Sequence, residues 1–558
     1  MTRVKAWLGT LFRRDTLKDD AVAGLVLGVE SVPDGLASGL LAGVNPVFGL
    51  YGYIFGTVGG ALFTSATFMA VQGTGAMAIV IADVPAVHNG SDPDRALFTL
   101  AILTGVVMLV AGFLGLGVLL RWVSNSVMVG FLNAVGVNII LGQLDNFSGY
   151  AAEGSNRISR AFNLLFNLGQ ANWRAILVGT VTIALIVFLE RTKLGPLGMV
   201  VAVIAGSAIV PLFGWDVQQL RDITDIPRSL PLPVLPDLSL VLDLAIPAAA
   251  LAFVGLVQGA GISANFPNPD GSYPDASRDF IGQGAANLAS GFFQGVPVGG
   301  STSGSALVKE AGAKTKGALL IAGFVMIVSV LALGGMVGYI AMPALAGLLM
   351  LVGFRTIKPH AIKAVWRTGP TAATVMTVTF VLTMIIPLQN AVLAGVGISV
   401  ILFVIGQGNR VTLKRWVIDA DGKMEETEAP PVLPPGEVIV LQPYGTLFFA
   451  NAAKFEDALP EVTDDSRGSV VILRLRGKSD LGTTFMDILR RYAERAGAAG
   501  CKLMLVSADR RVIEQFRVTG VTAVVGEENV YPTDAWLGAT VARAYRDALA
   551  WVEERRLD

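Results

Sequence analysis

A polar, glycine-rich interruption inside an uncharged run constrains this chain more than any other feature, and it occurs twice. The first copy is Val71-Gln72-Gly73-Thr74-Gly75-Ala76, set in a run without charge over 35–82. The second is Val298-Gly299-Gly300-Ser301-Thr302-Ser303-Gly304, set in an uncharged run over 280–308. Runs of that length are membrane segments. Irregular backbone at membrane depth survives only where protein or a water-filled cavity satisfies its amides. Two broken helices at matching places in two halves predict an inverted-repeat transporter with its site at the bilayer midplane.

Only 15% of the 558 residues are charged and 53% are hydrophobic, against about 25% charged in soluble domains. Most of the chain must therefore sit in lipid. Further uncharged runs at 96–120, 122–144, 194–215 and 244–269 are each long enough to span, while 317–354 and 368–409 must each fold back. A span needs about 20 residues. With 175–189 and the two broken regions, the chain reads as an α-helical polytopic membrane protein of about 14 spans. The repeats are expected over roughly 15–215 and 240–408.

Basic residues set the orientation. With the N-terminal tail inside, carrying Arg3, Lys5, Arg13, Arg14 and Lys18, the inside loops hold Arg121, Arg191, Lys193, Arg278, Lys309, Lys314, Lys316, Arg355, Lys358, Lys363 and Arg367. The outside loops hold fewer: Arg95, Arg157, Arg160, Arg174, Arg221 and Arg228. This predicts a multi-pass protein of the plasma (inner) membrane with both termini cytoplasmic. The tail is too charged for a cleaved signal peptide. Cys501 is the only cysteine, so no intrachain disulfide is expected. A formal net charge of −1 argues against a nucleic-acid partner.

The sequence divides into a cytoplasmic N-terminal segment (1–20), a membrane domain (21–408), a linker (409–435) and a C-terminal domain (436–558). Pro430, Pro431, Pro434 and Pro435 stiffen the linker. Beyond it the rhythm is βαβ: strands at 438–441, 470–475, 503–506 and 523–525, and helices at 485–499, 511–519 and 533–556. Thr533 or Asp534 is expected to cap the last helix. Neither histidine of the chain, His88 or His360, lies in this domain, and no phosphate loop or nucleophile elbow appears in it. No enzyme activity and no cofactor are expected. A regulatory or assembly role, with a regulatory partner, is the expectation.

Asp20-Ala-Val-Ala-Gly24-Leu25, Val32-Pro33-Asp34-Gly35-Leu36-Ala37 and Leu41-Ala-Gly-Val-Asn-Pro46-Val-Phe-Gly49-Leu-Tyr51-Gly52 resemble the first two spans of the SulP family, the sulfate permeases related to prestin and pendrin. Asp279-Phe-Ile-Gly-Gln283-Gly284-Ala-Ala-Asn287-Leu-Ala-Ser-Gly291 resembles the ninth span, and the tail resembles a STAS domain. The resemblance covers nearly the whole chain. It implies a 7+7 inverted repeat of core and gate helices, a substrate site between spans 3 and 10, and a homodimer. Three positions depart from the family pattern. Asp34 stands where glutamine is usual, Gln258 where span 8 often carries a carboxylate, and Gly304 where many members have arginine. These departures leave the anion and the coupling ion open.

Half-helix N-termini leave backbone N–H groups unpaired and carry about half a positive charge. Two such ends facing each other hold an anion without a cationic side chain. Gln72, Gly73, Thr74, Gly75, Ala76, Gly300, Ser301, Thr302 and Ser303 are the candidate ligands, with Gln258 lining the site. The competing reading of the small residues is close helix packing. Gln283 and Asn287 are expected to hold helices together, and Lys309 with Glu310 to form a local pair. Thr483 and Thr484 are read as a helix cap.

Glu30 and Asp34 lie four apart and share one helix face. A carboxylate at mid-membrane costs at least about 2.5–3.5 kcal/mol, which marks a functional group. Asp34 either caps the broken helix or binds a proton or a sodium ion that compensates the anion's charge. Glu30 stands nearer the cytoplasmic end, either as its partner in coupling or as a solvated or locally paired residue.

The function expected is secondary active transport of a small anion: sulfate, bicarbonate, chloride or a dicarboxylate. The alternatives are an uncoupled anion exchanger, an anion-sensing membrane protein with STAS output, and a nucleobase transporter of the same architecture.

Overall fold

The computed structural model describes residues 11, 13, 15–116, 124–154, 156–223, 229–386, 388–408, 411–418, 424–445, 447, 449–478, 480–536 and 538–557. Arg3, Lys5, Arg14, Arg121, Arg228, Asn409 and Arg410 lie outside the described residues. The chain divides into two compact units, 1–399 and 400–558.

The membrane unit is built from two runs of seven helices among the described residues. The first comprises α1 (Leu17–Leu41), α2 (Pro46–Phe63), α3 (Gly75–Ala82), α4 (Pro93–Phe113), α5 (Asn125–Gly142), α6 (Trp173–Leu189) and α7 (Leu197–Phe213). The second comprises α8 (Val241–Asn265), α9 (Ala276–Phe292), α10 (Thr302–Glu310), α11 (Gly317–Val337), α12 (Met342–Thr356), α13 (Pro370–Ile385) and α14 (Leu388–Gly408). In both runs the third helix is short and preceded by an extended segment, β1 (Ala70–Gln72) or β2 (Gly299–Ser301). In both, an amphipathic helix lies between the fifth and sixth: Arg157–Phe166 and Pro359–Thr368.

Local sequence sets the helix starts. Asn45 caps α2 by accepting from the N–H of Val47, with Pro46 next. Asp92 and Pro93 do the same for α4, and Ser124 caps α5. These are the residue types that relieve orphan N–H groups at a helix start.

Contacts between helix ends agree with fourteen alternating crossings. On the side where α1 begins, the Asp20 carboxylate accepts from the N–H groups of Lys314 (2.7 Å) and Thr315 (2.9 Å), just after α10. There too Asp279, at the start of α9, accepts from the N–H groups of Ser65 (2.6 Å) and Ala66 (3.0 Å), just after α2. Arg355, ending α12, pairs with Glu190 at the end of α6. On the opposite side Arg157 pairs with Asp83 at the end of α3, and Gln219, after α7, bridges to Ala341, before α12. No contact in this set joins an odd end to a wrong side.

The second unit carries a six-stranded sheet in the order β4-β3-β5-β6-β7-β8. Its strands are β3 (Thr412–Ile418), β4 (Met424–Glu428), β5 (Val438–Tyr444), β6 (Val470–Arg474), β7 (Lys502–Ala508) and β8 (Val530–Pro532). β5 through β8 run parallel, and β3 and β4 add antiparallel at the edge. Parallel strands covered on both faces read as continuous apolar runs, and the alternation sorts them. Ile439, Leu441, Val471 and Leu473 face α15 (Thr483–Ala498) and α16 (Arg510–Val518). Val440, Val470, Ile472 and Met504 face α17 (Ala539–Leu557).

Several expectations change in this unit. Within the segment read as linker, residues 412–418 and 424–428 form antiparallel strands that extend the sheet. Residues 523–525, expected to be a strand, belong to the helical turn Val521–Val525; the strand is β8. An apolar run of three, Ala523-Val524-Val525, does not distinguish the two states. The last helix begins at Ala539, and Thr533 instead donates to the carbonyl of Ser507 at 2.8 Å. The N-cap of α15 is Gly482, with no side-chain cap, so Thr483 and Thr484 are not caps.

Candidate functional site

The two interruptions meet. β1 and β2 pair antiparallel, with Ala70 opposite Ser301, Val71 opposite Gly300 and Gln72 opposite Gly299. β1 runs on into α3 and β2 into α10, so the two half-helices leave the three-rung ladder from its opposite ends. Thr74 caps α3 by accepting from the N–H of Met77 (3.3 Å), and Ser301 caps α10 by accepting from that of Gly304 (3.2 Å). The same device therefore appears once in each repeat. Ser301 and Ser303 hydroxyls lie 3.2 Å apart; Ser301 is buried, while Thr302 and Ser303 are exposed.

The broken backbone at this depth is satisfied by side chains, as membrane burial demands. Asn287 on α9 acts like a peptide group: it accepts from the N–H of Val298 (2.9 Å) and donates to its carbonyl (2.6 Å). Gln283 accepts from the N–H of Gly300 at 3.0 Å. The expectation that these two amides hold structure together therefore gains a specific form: they clamp β2. Ser305 on α10 accepts from the N–H of Ala70 (3.0 Å) and donates to the carbonyl of Ser301 (2.6 Å).

Glycine is required where α8 crosses β2. A Cβ on Gly300 would stand 2.8 Å from the Cα of Gly259, backbone against backbone. At Gly304 a Cβ would meet Oε1 of Gln72 at 2.5 Å. Gln72 in turn donates to Ser31 Oγ at 2.9 Å. A side chain at 304 therefore requires Gln72 to leave its place, so residues 72 and 304 are chosen together.

Gln258 on α8 reaches the site: its Oε1 accepts from Thr74 Oγ1 at 2.9 Å. That leaves the amide N–H₂ of Gln258 available as a donor beside the start of α3. Gly73 and Gly75 lie against Tyr53 and Ile139 respectively, and Ala76 is buried.

Asp34 is joined to the first interruption by a residue the sequence reading did not single out. The Tyr53 hydroxyl lies 2.9 Å from Asp34 Oδ2 and 2.8 Å from the carbonyl oxygen of Gly73. A phenol has one proton to donate, and here it has two acceptors. With Asp34 ionised the phenol can serve only one of them at a time; a protonated Asp34 would donate to Tyr53 and leave Tyr53 to donate to Gly73. Glu30 is buried one turn earlier on α1, on the same face. The tyrosine hydroxyls of Tyr51 and Tyr53, inside the uncharged run 35–82, were the available signal for this link. Lys309 and Glu310 do not form the expected pair. The Lys309 ammonium lies over the rings of Phe266 (5.0 Å) and Phe68 (5.9 Å), where a cation finds the ring quadrupole. Among the described residues no cluster of three or more histidine, cysteine, aspartate or glutamate side chains is placed to hold a metal ion.

The chain is similar to known proteins along most of its length. Residues 17–379 match the sulfate permease family and 430–537 match the STAS domain. A probable sulfate transporter of Mycobacterium tuberculosis is 25% identical over 535 residues, covering 94% of this chain and 95% of that protein. The bicarbonate transporter BicA of Picosynechococcus is 28% identical over 425 residues, 74% of each chain. The structure of murine Solute Carrier 26 family member A9, an anion transporter in the inward-facing state, superposes with a TM-score of 0.85 at 20% identity, covering 99% of this chain and 94% of that one. The transmembrane domain of BicA gives 0.61 at 24% identity over 70% of this chain and 98% of that one.

Proposed function

The chain belongs to the sulfate permease family, and from that premise we propose that it is a secondary active transporter of a small anion such as sulfate or bicarbonate. The observation that carries the reading is the β1–β2 pair, which joins the two interruptions and leads at each end into a capped half-helix start. Unpaired N–H groups and two helix dipoles there favour negative charge. No cationic side chain is needed, which accounts for glycine at 304. The ligands are the backbone and hydroxyls of Gln72–Ala76 and Gly300–Ser303, with the Gln258 amide closing one side. Relatives named as sulfate and bicarbonate transporters support an oxyanion as cargo.

Coupling runs through Asp34, with a proton or a sodium ion as the accompanying cation. An ionised Asp34 near a bound anion is repelled by it, so loading the anion favours a compensated Asp34. The hydrogen-bond chain from Asp34 through Tyr53 to Gly73 supplies the physical link between the two. The protein sits in the plasma membrane with both termini cytoplasmic, as the basic residues argue, and works as a homodimer whose STAS domain regulates or assembles it.

Uptake of labelled anions into proteoliposomes, with and without imposed proton and sodium gradients, tests this. Saturable uptake accelerated by one cation gradient supports it. Saturable exchange indifferent to both gradients makes the protein an uncoupled exchanger. Ligand-dependent shape change without uptake makes it a sensor.

A further inference from the structure

The amphipathic helix Pro359–Thr368 carries its charges on one side and seats the other on the protein. Ala361, Ile362 and Val365 pack against Val129 of α5 and Met376 of α13. Lys363 and Arg367, four apart and so on one face, are exposed, as is Lys358. None of the three has an acidic partner among the described residues. The chain has no acidic residue at all between Glu310 and Asp419. Trp366, 62% exposed, forms one wall of a groove of about 540 Å³ that continues along α13 past Pro370, Ala373, Thr374 and Val378.

The helix in the matching place of the first repeat behaves differently. Arg157–Phe166 also presents large apolar residues, with Phe162 and Phe166 exposed. Its Arg157 is already paired with Asp83, and Arg160 has Asp145 beside it. Between these two helices, the positive charge without an acidic partner among the described residues therefore belongs to the second repeat's.

The geometry points to a binding site for an anionic phospholipid, with its phosphate on Lys363 and Arg367 and an acyl chain in the groove between Trp366 and α13. Charge complementarity selects the occupant. Helix α13 is an apolar membrane span, so the groove opens where acyl chains are. A tryptophan at the rim belongs at the depth of the headgroups. Basic residues beside a span attract anionic lipid of the leaflet they face. The site is separate from the anion site, and it stands or falls independently of what is transported.

The test uses the full chain in phosphatidylcholine nanodiscs doped with brominated phosphatidylglycerol, read by tryptophan quenching, and native mass spectrometry of the same protein. Trp366→Phe should remove a quenched component that the wild type shows. Lys363→Gln with Arg367→Gln should weaken retention of phosphatidylglycerol at least about tenfold, while Lys363→Arg with Arg367→Lys keeps it. Both pairs are exposed, so folding is not at stake. Glycerol phosphate and sulfate at millimolar concentration should not displace the lipid. Equal retention of phosphatidylcholine, unchanged retention in the double glutamine variant, or unchanged quenching in Trp366→Phe overturns the proposal. Displacement by either soluble anion also overturns it and makes the helix a soluble-anion site.

Discussion

The backbone N–H of Ala70 donates to the hydroxyl of Ser305, 235 positions further along the chain, over 3.0 Å. The same hydroxyl donates to the carbonyl of Ser301. One small side chain of the second repeat thus ties the broken backbone of the first to the start of its own half-helix.

Ser305→Ala removes both bonds and leaves the buried N–H of Ala70 without a partner. An orphaned buried donor costs about 1–3 kcal/mol. A lowered thermal midpoint in detergent, together with weaker anion affinity, is expected. An unchanged midpoint would show that water or a shifted backbone takes the place of the hydroxyl.

Charge and bulk at the half-helix starts separate the anion-site reading from simple packing. Ser301→Asp puts a negative group where the dipoles favour an anion and should abolish uptake while the protein stays folded and monodisperse. Gly300→Ala forces a Cβ against Gly259, an overpacking of about 1–3 kcal/mol, and should lower both stability and uptake. Normal uptake by the Ser301→Asp protein would place the site elsewhere.

Asp34→Asn imitates the compensated carboxyl and can still hydrogen-bond Tyr53. It should bind and exchange anion at near wild-type affinity but lose acceleration by an imposed cation gradient. Tyr53→Phe breaks the link to Gly73 and should blunt the same response while sparing binding. Uptake measured with and without the gradient decides. A full gradient response in Asp34→Asn would leave Asp34 as a structural group only.

A chain ending near Gln407 should keep measurable anion affinity, because the last candidate ligand is Ser303. Loss of binding in a monodisperse truncated protein would mean that the STAS domain shapes the site.

Much of this was legible in the sequence because it depends on local composition. Membrane runs, the two interruptions, and the apolar strands 438–441 and 470–475 each follow from a few neighbouring residues. The misreadings are local too. Residues 523–525 are too short to show a period, and the strands 412–418 and 424–428 carry charged residues at the sheet edge beside a proline-rich stretch.

The sequence by itself determined that two broken helices exist, one in each repeat, and that a carboxylate stands on the first span. It could not determine that Gln72 faces Gly299, that Gln258 reaches Thr74, or that Tyr53 connects Asp34 to Gly73. Those pairings join residues far apart in the chain, and helical or strand periodicity says which face a residue occupies but not which partner that face meets. Only the packing of α1, α2, α8 and α9 around the β1–β2 pair chooses the partners. In a membrane interior every unpaired amide is costly, so that packing also decides which polar side chains must serve the backbone and which remain free for an anion.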